Sequence, residues 1–487
     1  MKIILICGKI YFKFVIKIGE KLQKNKEFLG IEPIGKLLFK LAVPTVIAQL
    51  INMLYNIVDR IYIGKIPEVG DLALTGLGVC MPVIMIVSAF AALVASGGAP
   101  RASIALGQKD GEKAEKILGG CFSLQIALSA ILTVLLLIFN KPLLLAFGAS
   151  ENTIEYASGY MSVYALGTLF VQLTLGMNAF ITAQGFTKVS MVSVIIGAVC
   201  NIVLDPIFIY VFNMGVKGAA LATIISQGVS CVWILSFLFG KKSLLKIKPK
   251  NLFVSPKIIL PCIGLGVATF IMQASESVIY VCFNTSLLKY GGDLAVGAMT
   301  ILSSVMQFAM LPLQGLAQGA QPILSYNFGA KNKERVKKTF TLLLTVSLIY
   351  SFTLWLSVML FPSGFASLFT NKEELLSFAS NVIRIYFGGM LIFGVQIACQ
   401  MTFVSTGNSI SSVTVAVVRK FALLLPLIYI MPSIMQDKLM AVYWAEPIAD
   451  VIAVLFTTVL FAFQFKKALK SISVSNLSEE TAQDTLA

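Results

Sequence analysis

The sequence contains no histidine among its 487 residues. This absence removes the side chain that most often acts as a general base, a metal ligand or a pH switch near neutrality, so any proton handling falls to carboxylates. Charged residues are also scarce: they make up 13% of the chain, against about a quarter in soluble domains. A soluble protein of this length could not cover its surface with so few charges.

Two further absences concern cysteine pairing and secretion. None of the eight cysteines forms a Cys-x-x-Cys motif, and seven lie inside apolar segments, so we expect neither zinc nor disulfide bonds. Residues 1–35 are rich in lysine, too short in apolar length to span a bilayer, and without the small-residue cleavage site of a secretory signal. We predict that they form a cytoplasmic lead.

What the sequence has in abundance is apolar length. Hydrophobic residues make up 57% of the chain, and apolar stretches of about 20 residues or more, the length of a membrane-spanning helix, recur throughout. We therefore predict an all-α, polytopic membrane protein with twelve transmembrane helices. The predicted spans are 36–64, 71–96, 115–139, 154–178, 187–212, 217–240, 258–289, 293–320, 336–361, 378–403, 409–433 and 440–465.

The net charge of +15 is spread along the chain. The cations concentrate in alternate connecting segments, such as "GQKDGEKAEK", "GKKSLLKIKPK", "AKNKERVKK" and "FKKALK". This alternation orients membrane helices and is not a nucleic-acid patch. We predict that these segments and both termini are cytoplasmic.

The two halves of the chain repeat each other. Residues 97–116 align without gaps with residues 319–338 and are identical at seven of the twenty positions, where chance would give roughly one. Convergent loop chemistry is the alternative, but the constant offset of 222 residues favours duplication. Six predicted spans separate the copies, so the halves form a parallel repeat related by a pseudo-two-fold axis. We predict an N-lobe at 36–240, a cytoplasmic linker at 241–257, a C-lobe at 258–467 and a cytoplasmic tail at 468–487.

One acid lies inside an apolar run, "CNIVLDPIFIYVF" at residues 200–212. Burying an unpaired carboxylate in hydrocarbon costs several kcal/mol, so Asp205 is a functional-site hypothesis. Asn201 lies one helical turn before it and on the same face. Pro206 removes a backbone N–H and frees a nearby carbonyl that could also bind a cation.

Several motifs resemble those of the multidrug and toxic compound extrusion (MATE) family. They are "LAVPTVIAQLINMLYNIVDRIYIG", "LGQKDGEKAEK" with its second copy, "NAFITAQGFTKVS" and "NIVLDPIFIYVFNMGVKGAALAT". The resemblance covers about residues 27–467 and is closest to the bacterial branch that keeps its essential acids in the N-lobe. It implies a plasma-membrane exporter made of two six-helix bundles around a central cavity. Such a protein exchanges organic cations and amphipathic drugs for Na⁺ or H⁺ and needs no other cofactor.

The resemblance also implies a cation site at Asp59, Asn201, Asp205 and Thr223. Two carboxylates, an amide oxygen and a hydroxyl are hard oxygen ligands that suit Na⁺, and the same acids can hold a proton. The alternatives are that Asp59 pairs with Arg60 or caps a helix end, and that Thr223 only bonds its own backbone.

A substrate cavity is expected on both lobes. On the N-lobe side, Asn52, Tyr55 and Asn56 share a helical stripe with Asp59, and the resemblance adds Tyr160 and Asn178. On the C-lobe side the candidates are Met272, Gln273, Glu276 and Met306. Methionine surfaces suit varied ligands, although core or lipid packing is the commoner role of any single methionine. Glu276 would attract cationic drugs.

Pro44, in the first span, matches the proline at which the first helix of the family bends; the alternative is a static kink.

The C-lobe is expected to lack a coupling site of its own. Leu425 stands in the place of Asp205 when "VLDPIFIYVF" is aligned with "LLLPLIYIMP". Glu446 and Asp450 share one face of the last span, and we expect them to pair with Arg419 or Lys420.

These features favour a secondary active multidrug exporter that works as a monomer. A flippase for lipid-linked saccharides, within the same superfamily, is the alternative; it would need several arginines facing the cavity, and intramembrane arginines are few here. A membrane-embedded enzyme is disfavoured because the chain has no histidine and no catalytic acid cluster near the interface. A channel is disfavoured because no filter-like loop is present.

The predicted topology can be tested by cysteine labelling. A Lys248→Cys variant should react with a membrane-permeant maleimide but not with an impermeant one in intact cells, because the 241–257 linker is predicted to be cytoplasmic. Reaction with the impermeant reagent from outside would contradict the twelve-span topology.

Overall fold

The structure is a computed structural model that describes residues 27–370 and 372–484, and nearly all of this part is helical, with no strand. Helices suit a bilayer because they satisfy their backbone groups internally. The N-terminal half contains α1 (Phe28–Ile31), α2 (Ile34–Gly64), α3 (Gly70–Gly107), α4 (Gly111–Ile138), α5 (Asn140–Ala146), α6 (Ile154–Leu166), α7 (Thr168–Ala183), α8 (Thr187–Pro206) and α9 (Gly215–Phe239). The C-terminal half contains α10 (Pro256–Gly329), α11 (Lys333–Leu360), α12 (Pro362–Ser367), α13 (Glu373–Tyr386), α14 (Met390–Ser405), α15 (Ser409–Val417), α16 (Leu425–Ile434) and α17 (Lys438–Asp484).

These helices supply twelve membrane spans. Nine helices in the described part of the chain are long and apolar enough to cross a bilayer, and two bent pairs, α6 with α7 and α13 with α14, raise the number to eleven. The longest, α10, has 74 residues and leaves helical geometry at Gly292 (φ 63°, ψ −158°). A bilayer needs only about 20 residues per span, so α10 is two spans joined at Gly292. The predicted count of twelve spans is confirmed. Residues 1–26 of the predicted N-terminal lead lie outside the described part of the chain.

Three predicted span ends were too early. The second and eighth spans were expected to end at residues 96 and 320, but α3 and α10 stay helical to Gly107 and Gly329. The Gly- and Pro-rich sequence there has the composition of a loop. It remains helical because its glycines lie against the backbone of the opposite lobe. The last helix, α17, also continues beyond the predicted end at residue 465.

The sequence repeat is a repeat of backbone conformation. Lys109 and Lys331, which are 222 residues apart, both adopt left-handed conformations with φ of 61° and 56°. The side chains of the next residues, Asp110 and Asn332, cap the following helices by accepting the backbone N–H groups of Lys113 and Arg335, respectively. The duplicated lobes thus follow the predicted parallel repeat.

The lobes meet where α3 packs against α10, and we call this contact the seam. Cβ atoms placed on Gly97 and Gly266 would overlap the carbonyl groups of Cys262 and Leu93. The repeat partners Gly107 and Gly329 are equally close to the backbone of Tyr326 and Ile104. Small residues let two membrane helices approach this closely. One of the two contacts, at Gly107 and Gly329, lies at the ends of α3 and α10 that are predicted to be cytoplasmic.

The first long helix also crosses from one lobe to the other. Gly315 and Gly319 of α10 form a Gly-x-x-x-Gly pair, against which the backbone of Val46 and Ala42 in α2 rests. The Thr45 hydroxyl donates to the Gly315 carbonyl at 2.5 Å. Pro44 is therefore buried where α2 touches the C-lobe.

A single methyl group should disturb this crossing. In Gly319→Ala, the new Cβ would overlap the Ala42 backbone, so we expect the folded state to lose about 1–3 kcal/mol. Gly264→Ala is the matched control, because that position of α10 has no neighbour within 4 Å of a built Cβ. Thermal unfolding of the purified protein measures both, and equal melting temperatures would contradict the close contact.

Candidate cation site

Three helices of the N-lobe bring the predicted cation ligands together. Asp59 comes from α2, Asn201 and Asp205 from the end of α8, and Thr223 from α9. Asp205 is fully buried, and Asn201 and Asp59 are 2% and 8% exposed. Just beyond Asp205 the helix widens into a π-helical turn, Ile207–Val211. Pro206 has no N–H for the regular ladder, and such turns are frequent at functional sites.

Hydrogen bonds within the site join three of the four residues. The Asn201 amide nitrogen donates to Asp205 Oδ1 at 3.1 Å and lies 3.4 Å from Thr223 Oγ1. The carboxyl groups of Asp59 and Asp205 are close enough to interact electrostatically. Two carboxylates repel each other, and a proton or a cation bound between them would remove that repulsion.

Three oxygen atoms of the site have no hydrogen-bond partner in the described part of the chain. Asp59 Oδ1, Asn201 Oδ1 and Asp205 Oδ2 are buried and have no hydrogen-bond partner. Buried acceptors without partners are costly, and a hard cation or a proton is the group that would satisfy them. The residues present therefore fit a small monovalent cation.

The structural alternatives for these residues account for little of the arrangement. Arg60 attracts Asp59 electrostatically, but no ion pair joins Asp59 to Arg60 or to another residue in the described part of the chain. Asp59 does not cap a helix end, because α2 continues to Gly64. Thr223 faces the Asn201 amide.

Aromatic rings close one side of the site. Tyr160 is buried beside Thr223 and Asp59, and its ring stacks on Tyr164 with centroids 6.2 Å apart. Tyr55 of α2 also lies near Asp59. Tyr160 was predicted to face the substrate cavity, but the structure places it in the N-lobe core. Tyr164 was missed, although its position one turn after Tyr160 was a usable signal.

The other predicted cavity residues occupy surfaces of different kinds. Asn52, Asn56 and Gln273 are exposed, whereas Tyr55, Asn178, Met272 and Met306 are half-buried. Asn56 donates to the Asn52 carbonyl at 2.7 Å, and Met306 packs against the C-lobe core. Their grouping in one substrate cavity stays a prediction.

Similarity to known proteins decides the family. The MatE family model matches the chain twice, at residues 44–207 and 268–430, once in each lobe. The chain belongs to the MATE family. The multidrug export protein MepA of Staphylococcus haemolyticus (strain JCSC1435) is 25% identical over 420 residues, which is 86% of this chain and 91% of MepA. MepA of Staphylococcus aureus (strain NCTC 8325 / PS 47) is 25% identical over 419 residues, with the same coverage.

Solved structures show the same fold. A MATE protein in a bent conformation superposes with a TM-score of 0.86 at 22% identity, covering 92% of this chain and 99% of that one. An outward-facing multidrug resistance MATE transporter gives a TM-score of 0.85 at 22% identity, covering 91% and 98%. This MATE family member is thus a multi-pass membrane protein with two duplicated lobes.

The C-lobe contains a second group of charged residues, and here each acid forms an ion pair with an arginine or a lysine of the chain. Arg419 contacts Glu446 at 3.2 Å and Asp450 at 2.8 Å, as predicted. Lys420 Nζ lies 2.6 Å from Glu276 Oε1. Glu276 is half-exposed, and its attraction for cationic drugs stays a prediction.

This cluster occupies the part of the C-lobe that corresponds to the cation site. The helices α2, α8 and α9 carry the cation site, and their counterparts α10, α15 and α17 begin 222 or 223 residues later. Arg419 and Lys420 lie in a π-helical turn, Val418–Leu424, that follows α15. The same three-helix corner therefore contains unpaired acids in one lobe and protein-supplied cations in the other.

The unpaired acids predict an unusual stability effect. Asp59→Asn removes the repulsion between two buried carboxylates, so in Na⁺-free buffer at alkaline pH we expect its melting temperature to exceed that of the wild type by a few degrees. Adding Na⁺, or lowering the pH, should stabilise the wild type and have little effect on the variant, because a ligand stabilises only the state that binds it.

Asp71→Asn, at an exposed acid of α3, is the control and should respond like the wild type. If added Na⁺ and lowered pH stabilised Asp59→Asn as much as the wild type, the cation would bind elsewhere.

Proposed function

We propose that this MATE family member is a secondary active multidrug exporter driven by Na⁺ or H⁺ binding at the N-lobe acid pair. The observation that carries the proposal is the pair of buried carboxylates, Asp59 and Asp205, with unsatisfied oxygens and no fixed positive partner. The similarity to MepA, a multidrug export protein, supports organic cations and amphipathic drugs as the exported class.

Coupling follows from the position of α2. Its Asp59 lies at the cation site, while its Pro44 and Thr45 lie against α10, 14 to 15 residues and about 22 Å earlier along the helix. Binding a cation removes the repulsion between Asp59 and Asp205, which changes the favoured packing of α2. Only a ligand with different affinities for two conformations can drive a transition between them. Pro44 is the proposed hinge, because it lacks the N–H that would hold a straight ladder.

The seam indicates which conformation the structure represents. Backbone groups touch around Gly107 and Gly329, at the ends predicted to be cytoplasmic. With those ends closed, a drug would leave towards the opposite side of the membrane. We therefore assign the structure to the outward-facing half of the transport cycle.

The C-lobe cluster supports a single coupling site. Each acid of this cluster already has a cationic partner, Arg419 or Lys420, within 3.2 Å, so an external cation gains less there than at the N-lobe acid pair. The same pairing disfavours the flippase alternative, because Arg419 is buried between two acids and does not face a cavity.

The proposal is tested by drug efflux from proteoliposomes under an imposed Na⁺ gradient and, separately, under an imposed H⁺ gradient. Asp59→Asn and Asp205→Asn should each reduce gradient-driven efflux to background, since neither can release a cation from a paired carboxylate site. Drug binding measured without a gradient should persist, because the predicted cavity wall is unchanged.

Asp71→Asn again serves as the matched control and should transport normally. Full gradient-driven efflux by Asp205→Asn, with loss of efflux in Glu276→Gln, would move the coupling site to the C-lobe.

A further inference from the structure

A pocket of about 460 Å³ lies at the end of the seam where α3 and α10 meet. Its lining includes five lysines and only two acids: Lys109, Lys241, Lys242, Lys246 and Lys248, with Glu27 and Glu115. The pocket is therefore strongly positive. None of its lining residues belongs to the cation site.

The described residues do not balance the positive charge of the pocket. Glu27 lies 3.6 Å from Lys109, and Glu115 lies 2.5 Å from Lys248. Lys241, Lys242 and Lys246 form no hydrogen bond or ion pair with any described residue. Three ammonium groups are thus available to an anion.

The lysines lie on an ordered segment of the linker. The side-chain oxygen of Gln184, which is buried, accepts hydrogen bonds from the backbone N–H groups of Leu244 and Leu245 at 2.8 and 3.0 Å, and from the Ser243 hydroxyl at 3.0 Å. Lys242 and Lys246 flank this anchor and are half-buried. Loop lysines that merely orient a membrane protein need no such anchor.

The walls of the pocket come from both lobes. The lysines belong to the N-lobe and its linker, whereas Tyr326 belongs to α10. The α1 turn is tied to the C-lobe, because Asn327 and Arg335 donate to the Leu29 carbonyl at 3.0 and 3.1 Å. A ligand in the pocket would therefore bridge the lobes beside the closed end of the seam.

We propose that this pocket binds a phosphate-bearing anion that stabilises the closed seam. Ammonium groups bind phosphate through charge-assisted hydrogen bonds. Apolar side chains next to the lysines, including Phe28, Leu106 and Phe186, provide a surface for the glycerol and upper acyl chain of a lipid. An anionic phospholipid of the adjacent leaflet thus matches both the charge and the apolar wall. Inorganic phosphate would share only the charge chemistry.

The experiment compares the full-length protein in vesicles of phosphatidylcholine alone, in vesicles that also contain phosphatidylglycerol, and in phosphatidylcholine vesicles with added inorganic phosphate. We expect phosphatidylglycerol to raise the melting temperature. The Lys241→Gln/Lys242→Gln/Lys246→Gln variant should lose most of this rise, since each lysine near the surface contributes about fivefold to anionic lipid binding. The matching variant with arginine at these three positions should keep the rise in melting temperature, because it keeps the positive charges. It also shows that the segment still folds when the three lysines are replaced.

The matched control replaces three exposed lysines outside the pocket, Lys337, Lys338 and Lys467, by glutamine. It should keep the full response to phosphatidylglycerol. An equal loss in both glutamine variants would overturn the proposal, because the effect would then be general surface charge. A rise produced by inorganic phosphate in phosphatidylcholine vesicles, lost only in the pocket variant, would support the phosphate site and identify a soluble ligand as its occupant.

Discussion

The constraint on which this molecule depends is the burial of two carboxylates, Asp59 and Asp205, without a fixed counter-charge. Burying one uncompensated charge costs several kcal/mol, and two close together also repel each other. Under the proposed function, a proton or a cation at this pair would favour close packing of the helices that carry it, α2 and α8. A stable fold would normally avoid such a dependence. For a transporter it is useful, because it makes the packing of the N-lobe respond to the occupancy of one site.

The long helix α2 gives that response a route to the other lobe. One end of α2 carries Asp59, and the segment around Pro44 rests on Gly315 and Gly319 of α10 without intervening side chains. Close backbone packing transmits displacement well, since little side-chain volume is available to absorb it. Pro44 lies within this contact, between Ala42 and Val46, where its missing N–H weakens the helical ladder and makes bending easier.

Much of this arrangement could be predicted from the sequence, because the decisive signals are local or periodic. Span number follows from apolar length, and the repeat follows from residues such as Gly107 and Gly329. Asp205 is conspicuous as an acid in an apolar run. The helical extension of α3 past residue 96 could not be predicted, because its glycines and prolines have loop composition and only contact with the other lobe explains them. The Lys420–Glu276 pair was also out of reach, since nothing local relates residues 144 positions apart.

The duplicated lobes differ in where their cations come from. In the C-lobe corner, the cations that pair with Glu276, Glu446 and Asp450 are Arg419 and Lys420, which are covalently part of the chain. In the N-lobe corner, the proposed function has the acids take a cation from solution and release it again. Fixed pairs favour one packing, whereas exchangeable ones allow two. In a duplicated fold, one copy can therefore serve as a fixed support and the other as the moving part. The difference lies in whether the positive charge belongs to side chains of the chain itself, while the arrangement of the helices is the same in both copies.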